Sequence, residues 1–319
     1  MVEDGKGILA ADEKGSSLEK RFGMCGIINT EENRRKFREL VFKAAAESRK
    51  IGGVILNEET FGQSDDTGKS LVDILIEHGI LVGVKLDKGL IEFGDSEQVS
   101  VGLEDLDHRC KEPAFAKADF TKWRSVFKVS ATTPTRKCIE ENCAILAEYA
   151  EISQKNNMVP IVEPEILWDG DYSAEKAAGA QKVILSTLIQ YLNARNVYTP
   201  GVIVKTSFVT SGCKSGDVKS PKDVGMLTFH VLLDTIPCGI SGVVFLSGGH
   251  TPEEATEYLK CVSKERGRHT WPLSFSFGRA LTDPFLSKWM GKDENIEEAR
   301  QALLKKIDEC FSAVGTTAN

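Results

Sequence analysis

Eight short runs rich in Val, Ile, Leu and Phe are spread along the chain, and they constrain its fold more than any other feature. They are GILAAD from position 7, GGVILN from 52, LVGVKLD from 81, WRSVFKVS from 123, MVPIVEPEI from 158, GVIVKT from 201, GVVFLSGG from 242 and LSFSFG from 273. Each is too short for an ordinary helix and nearly continuous in apolar residues, the pattern of a strand covered on both faces. Between them lie stretches with helical periodicity, such as TEENRRKFRELVFKAA, RKCIEENCAILAEYAEISQKN and SAEKAAGAQKVILSTLIQYLNAR. Strands of this kind alternating with amphipathic helices imply a parallel sheet coated by helices. Eight such units predict an α/β chain folded as a (β/α)8 TIM barrel. A doubly wound sheet with a second domain is the competing arrangement. It asks for a glycine-rich dinucleotide turn after the first strand and a linker rich in Pro, Gly or Ser, and neither is found. One barrel domain over residues 1–319 is therefore expected, with residues 290–319 forming a C-terminal helix and tail.

Composition excludes several functions. The formal net charge of −7 opposes bulk attraction to nucleic acid or an anionic membrane, so any anionic ligand needs a local cluster of bases. No apolar run approaches a membrane span, and MVEDGKGILAADEKG at the N-terminus is too short in apolar residues for a signal peptide. The eight cysteines (Cys25, Cys110, Cys138, Cys143, Cys213, Cys238, Cys261 and Cys310) include no Cys-x-x-Cys pair. Reduced thiols in a cytoplasmic protein account for them. His78, His108, His230, His250 and His269 are far apart in sequence, so no zinc site is expected, and each reads as a surface or internally satisfied histidine.

A barrel carries its chemistry where the strands end and the helices have yet to begin, and the runs end unusually here. The first ends in Asp12. The third carries Lys85 and Asp87, the fifth Glu163 and Glu165, and the sixth ends in Lys205. The seventh runs into Ser247-Gly248-Gly249 and the eighth into Gly278-Arg279. A surface salt bridge explains any one of these positions, but six strands ending the same way point to a site. Ser247, Gly248 and Gly249 offer a hydroxyl and approachable backbone N–H groups, and Arg279 offers a bidentate fork, a combination that suits a phosphate. Lys85 and Arg21 would serve a second anionic end of the same ligand, or are ordinary solvated charges. Glu163 and Glu165 share one side of their strand, where each raises the other's pKa unless a cation such as Arg124 intervenes. A lysine in that company, withdrawn from water beside another ammonium, is a competent nucleophile towards a carbonyl. Lys205 accordingly reads as a Schiff-base lysine.

GKGILAADE, TEENRRKFREL, GGVILNEET, VGVKLDKG, DFTKWRSVFK, VPIVEPEILWDGD, GVVFLSGG and LSFSFGRAL together give a sequence that resembles class I fructose-1,6-bisphosphate aldolase, from Gly5 to about Trp289. The resemblance implies a (β/α)8 barrel, a homotetramer, no metal or other cofactor, and a place in glycolysis and gluconeogenesis. It makes Lys205 the imine-forming residue, Glu163 the acid/base that dehydrates the carbinolamine and Asp12 the group that handles the C4 hydroxyl proton. Lys122 would stand near the reacting centre, and Arg124 would pair with Glu165. Ser247, Gly248, Gly278 and Arg279 would hold one phosphate, with Lys85, Ser17 and Arg21 around the phosphates. The implied substrate is fructose 1,6-bisphosphate, and the implied products are dihydroxyacetone phosphate and glyceraldehyde 3-phosphate. Spacing alone disagrees on one residue: Lys122 precedes its apolar run and belongs, by pattern, at the wrong end of the fourth strand.

The chain also departs from the family pattern. Lys14 stands where a serine usually follows AADE, only four residues precede Gly5, and FSAVGTTAN at the end lacks the tyrosine many relatives carry there. Two other functions fit parts of the sequence. One is an imine aldolase preferring another ketose phosphate, such as sedoheptulose bisphosphate or fructose 1-phosphate. The other is a non-catalytic scaffold that keeps the barrel as a binding surface, against which the intact set of Asp12, Lys122, Glu163 and Lys205 speaks.

Overall fold

The computed structural model describes residues 1–2, 5–266 and 271–315. His269 and the last four residues of the tail lie outside the described residues. In chain order the elements are β1 (Gly7–Ala11), α1 (Gly15–Met24), α2 (Glu31–Ser48), β2 (Ile51–Leu56), α3 (Glu58–Phe61), α4 (Leu71–Glu77), β3 (Leu81–Lys85), β4 (Leu90–Phe93), β5 (Glu97–Ser100), α5 (Leu106–Cys110), β6 (Phe120–Phe127), α6 (Arg136–Lys155), β7 (Val159–Ile166), α7 (Ala174–Ala194), β8 (Ile203–Thr206), α8 (Pro221–Thr235), β9 (Gly242–Phe245), α9 (Pro252–Arg266), β10 (Leu273–Phe277), α10 (Arg279–Trp289) and α11 (Ile296–Val314).

All eight apolar runs are strands of one closed parallel barrel, ordered β1-β10-β9-β8-β7-β6-β3-β2. The expected (β/α)8 barrel is what forms. The apolar-run criterion passes over the antiparallel hairpin of β4 and β5, because β4 is largely exposed and its sequence is correspondingly mixed. Side chains such as Thr30, Thr135, Ser173 and Ser220 accept a backbone N–H at the starts of α2, α6, α7 and α8. Each such cap contributes about 1 kcal/mol and fixes where the loop from the preceding strand must stop. The last helix, α11, buries Leu303, Ile307 and Cys310 in the same core as the barrel's outer face. No described helix is long and apolar enough to cross a membrane.

The two-residue period of a strand divides each barrel strand into an outer and an inner set. Val54, Val84, Val162, Val204, Phe245 and Phe277 face outward into the main core under the helices. Ile8, Ala10, Ile55, Phe120, Ile161, Ile203 and Val244 form a separate apolar cluster inside the barrel, joined by Val2. Phe120 occupies its place because β3 has Gly83 alongside it: a Cβ there would lie 2.1 Å from the Phe120 ring. Two residues beyond these inner apolar positions, β1, β6, β7 and β8 lead to Asp12, Lys122, Glu163 and Lys205. An apolar plug therefore supports a charged layer at the C-terminal mouth of the barrel.

Candidate active site

The mouth encloses a cavity of about 550 Å³ into which Asp12, Lys85, Lys122, Arg124, Glu163, Glu165 and Lys205 project. Its rim includes Ser17 and Arg21 from α1, Ser247 and Gly248 after β9, and Gly278 and Arg279 after β10. The site residues expected from the sequence are thus brought together, except Gly249, which does not line the cavity. A larger open groove of about 1020 Å³ between α2, α9 and α11 is lined by surface charges such as Glu47, Lys260 and Asp308 and has no buried layer of this kind.

Four of these groups form a chain of alternating charge. Lys122 Nζ lies 2.7 Å from Asp12 Oδ2 and 2.8 Å from Glu163 Oε2, and Lys205 Nζ lies 3.0 Å from Glu163 Oε1. Lys122, Glu163 and Lys205 are each 3% exposed and Asp12 is 9% exposed. Burial of this degree is sustained only because each charge has an opposite neighbour at hydrogen-bonding distance. Burial pushes the Asp12 carboxyl up, but the ammonium groups of Lys122 and then Lys205 reverse that and hold it at about 2. Glu163 is likewise raised by burial and brought below its usual range by Lys122 and Lys205. Burial lowers Lys122, yet Asp12 and Glu163 together carry it above the ordinary lysine range. Asp12, Glu163 and Lys122 are therefore ionised together in the resting site.

Lys122 corrects the spacing-based expectation. The strand β6 starts at Phe120, three residues before the apolar run was expected to begin, so Lys122 lies within it beside Lys85 of β3. A charged residue inside a strand breaks an apolar pattern, but here its side chain enters the barrel, where two carboxylates receive it.

Glu165 pairs with Arg124, Nε to Oε2 at 2.6 Å, as expected. Lys85 is bound by Asp87, with its Nζ 2.5 Å from Oδ1 and 2.8 Å from the Asp87 carbonyl oxygen. Burial nevertheless holds its ammonium below the usual lysine range. Arg21 is buried and fully engaged: it pairs with Glu13, and its Nε lies 2.9 Å from Asp283 Oδ1 and its Nη2 2.7 Å from Thr282 Oγ1. It clamps α1 to α10 rather than presenting a free guanidinium. On the other side of the rim, Gly248 takes a φ of +56°, a conformation glycine tolerates best. Its carbonyl accepts from Arg279 Nη2. Trp168 packs on the same loop so closely that a Cβ on Gly249 would lie 2.2 Å from its ring.

Several contributors were not singled out from the sequence. Ser276 of β10 lines the cavity and is 1% exposed, and its hydroxyl has no partner among the described residues. Alternation in LSFSFG could have found it, since Ser274 and Ser276 share the face opposite Phe275 and Phe277. Asn57 Nδ2 donates to the Glu13 carbonyl at 2.7 Å, fixing the turn that follows Asp12. The cavity lining holds eight basic residues (Lys14, Lys20, Arg21, Lys85, Lys122, Arg124, Lys205, Arg279) against five acidic ones (Asp12, Glu13, Asp87, Glu163, Glu165). A chain of net charge −7 thus concentrates three excess positive charges in one cleft, which focuses its field on an anion.

A parallel barrel with titratable groups converging at the C-terminal ends of its strands defines a barrel enzyme with its site in the usual place. Comparison with known proteins makes the class specific. Residues 1–316 match the family model of class-I fructose-bisphosphate aldolase. The chain is 55% identical to the fructose-bisphosphate aldolase of Encephalitozoon cuniculi, over 99% of this chain and 94% of that one. It is 43% identical to fructose-bisphosphate aldolase 1 of Caenorhabditis elegans, over 96% of this chain and 85% of the relative. The fold superimposes with a TM-score of 0.96 on the fructose-bisphosphate aldolase of Plasmodium falciparum, solved with TRAP and a small-molecule inhibitor. That protein is 40% identical, and the match covers 100% of this chain and 93% of that one. The chain belongs to the class-I fructose-bisphosphate aldolase family, carbon–carbon lyases of glycolysis.

Proposed function

We propose that Lys205 forms an imine with C2 of fructose 1,6-bisphosphate and that its neighbours conduct the protons of the cleavage. Glu163, ionised and 3.0 Å from Lys205 Nζ, takes a proton from the ammonium and frees the amine to attack the C2 carbonyl. The protonated Glu163 then donates to the carbinolamine hydroxyl, which leaves as water and gives the iminium. Asp12 accepts the C4 hydroxyl proton as the C3–C4 bond breaks. The electron pair of that bond moves to the iminium as an enamine, and glyceraldehyde 3-phosphate departs. Protonation at C3 and hydrolysis return the amine and release dihydroxyacetone phosphate. Lys122, between Asp12 and Glu163, keeps both carboxylates ionised and poised to accept protons, and the Arg124–Glu165 pair bounds the site beside them.

Ser247 and Gly248 after β9 and Gly278 and Arg279 after β10 hold the C1 phosphate in this reading, while Lys85 and Ser17 face the rest of the substrate. The electron sink is the imine itself, so the reaction requires no metal and chelators leave the rate unchanged. The observation that carries the proposal is the single buried chain Asp12–Lys122–Glu163–Lys205. Borohydride reduction in the presence of dihydroxyacetone phosphate tests it. The expected result is inactivation, with the triose mass on the peptide containing Lys205; labelling at another lysine refutes the assignment.

The remaining features of the proposal are one barrel domain over the whole chain, a homotetramer and a cytoplasmic location. The core shared by α11 and the barrel supports the first. The second rests on the family resemblance and is checked by light scattering. All eight cysteines are free thiols, which suits the third.

A further inference from the structure

We infer that Gln181 of α7 is a positioning residue for Lys205, acting through the two residues that follow Lys205 in the chain. The inference rests on the role proposed above for Lys205. The buried stripe of α7 includes Ala174, Ala177, Gln181, Ile184, Leu185 and Leu188. Helical spacing asks for an apolar residue at the third of these places, yet an amide stands there, 2% exposed. Its Nε2 donates to Thr206 Oγ1 and to the Ser207 carbonyl oxygen, both at 3.0 Å. Its Oε1 is buried and meets no partner among the described residues. Turning the amide over would set that oxygen against the Ser207 carbonyl, so the side chain keeps an orphaned acceptor, which is destabilising. An apolar residue would avoid this penalty, and the two bonds to Thr206 and Ser207 are what the amide supplies in return.

The place of Lys205 in β8 explains why such support is needed. The strand ends one residue later, at Thr206, and its ladder with β7 runs through Ile161–Ile203 and Val162–Val204. β7 continues beside β6 as far as Ile166. Past that ladder, a side chain links the two: Ser207 Oγ accepts from the Ile166 N–H at 3.1 Å and donates to the Ile166 carbonyl at 3.4 Å. On the other side β9 pairs with Lys205 and Thr206, and the Leu246 N–H donates to the Thr206 carbonyl at 3.0 Å. Successive residues of a strand point to opposite faces, so Lys205 enters the barrel while Thr206 meets α7. Gln181 thus holds the outer face directly behind the nucleophile. Lysine reaches its target on a flexible four-carbon stem. A small displacement at the root of that stem takes the amine out of line with Glu163 and with a carbonyl whose phosphate is held elsewhere.

The test uses the full chain with Gln181→Met, which keeps the length of the side chain and removes the amide. Rapid-quench borohydride trapping with saturating dihydroxyacetone phosphate counts the sites and times imine formation. Turnover of fructose 1,6-bisphosphate is then expressed per trapped site, so that any loss of folded protein does not enter. Turnover per site and the rate of imine formation are expected to fall about tenfold, the scale of a modest misplacement of a reacting group. KM should stay within about twofold, because the phosphate is bound by other loops. Thr206→Val, which deletes one acceptor of the amide, should reproduce part of the loss, and Thr206→Ser, which keeps the hydroxyl, should restore it. In Gln181→Met combined with Thr206→Val the two losses should not multiply, since both cut the same contact. Unchanged turnover per site in Gln181→Met overturns the inference, as do equal losses in Thr206→Ser and Thr206→Val. Triose mass on a residue other than Lys205 in the unaltered chain refutes instead the site on which the inference rests.

Discussion

Glu163 is held between two lysines, with Oε1 3.0 Å from Lys205 Nζ and Oε2 2.8 Å from Lys122 Nζ. Replacing it by Gln removes a charge that lies within 3.0 Å of both lysine Nζ atoms and the group that shuttles protons between amine and carbinolamine. Loss of general acid–base catalysis is worth about 100-fold or more in rate. Glu163→Gln should therefore lower kcat by that factor with little change in KM. A raised KM with kcat retained would make Glu163 a binding residue instead. Leaving buried ammonium charges undercompensated should also lower stability, by about 3 kcal/mol in urea unfolding.

Asp12 gives the fold a pH dependence whose sign follows from its environment. Burial raises its pKa, and Lys122 and Lys205 more than reverse this, to about 2 against an ordinary 3.8. A carboxyl depressed on folding stabilises the native state fully above its unfolded value, and the contribution is lost as pH falls through the folded value. Stability measured by urea unfolding should decline between about pH 4 and pH 2 in the unaltered chain. The decline should be shallower in Asp12→Asn, and an equal slope in both would place the acid sensitivity elsewhere.

Arg21 acts through structure. Its bonds to Glu13 on one side and to Asp283 and Thr282 on the other join α1 to α10 at the rim. Arg21→Ala leaves Glu13 and Asp283 without their shared cation and should cost about 3 kcal/mol in stability. Differential scanning calorimetry checks this. Unchanged stability with a raised KM for the bisphosphate would restore Arg21 as a direct phosphate ligand.

Gly249 and Trp168 are packed so that an added methyl has nowhere to go, with its carbon 2.2 Å from the indole ring. Gly249→Ala must displace Trp168 or the loop carrying Ser247 and Gly248. KM for fructose 1,6-bisphosphate should rise several-fold while borohydride trapping still labels Lys205. Unaltered KM would show that the loop can move without loosening its hold on phosphate.

The barrel was legible because its cause is local and repeated: eight apolar strands and the helices between them carry their periodicities in contiguous residues. The hairpin of β4 and β5 was not, since it stands outside the barrel with one strand largely exposed and lacks the continuous apolar signature. Among site residues, Lys205, Glu163 and Asp12 stood out as charges at the ends of apolar runs. Ser276 did not, because a serine in a strand is unremarkable until its hydroxyl is found buried without a partner.

By itself the sequence determined the alternation of strands and helices, the inner and outer faces of each strand, and the chemistry available where the strands end. These follow from bond geometry and from the exclusion of apolar side chains from water, which act over a few residues. Only the tertiary structure decided which charges face one another. Lys122 and Asp12 are 110 positions apart in the chain and 2.7 Å apart in the barrel, and that distance holds Asp12 ionised. Arg21 and Lys14 lie near each other in sequence, yet closure of the barrel brings Asp283 and Thr282 to Arg21 and leaves Lys14 exposed at the edge of the cavity. Electrostatic energy depends on separation and burial in space, and neither is fixed until the barrel closes.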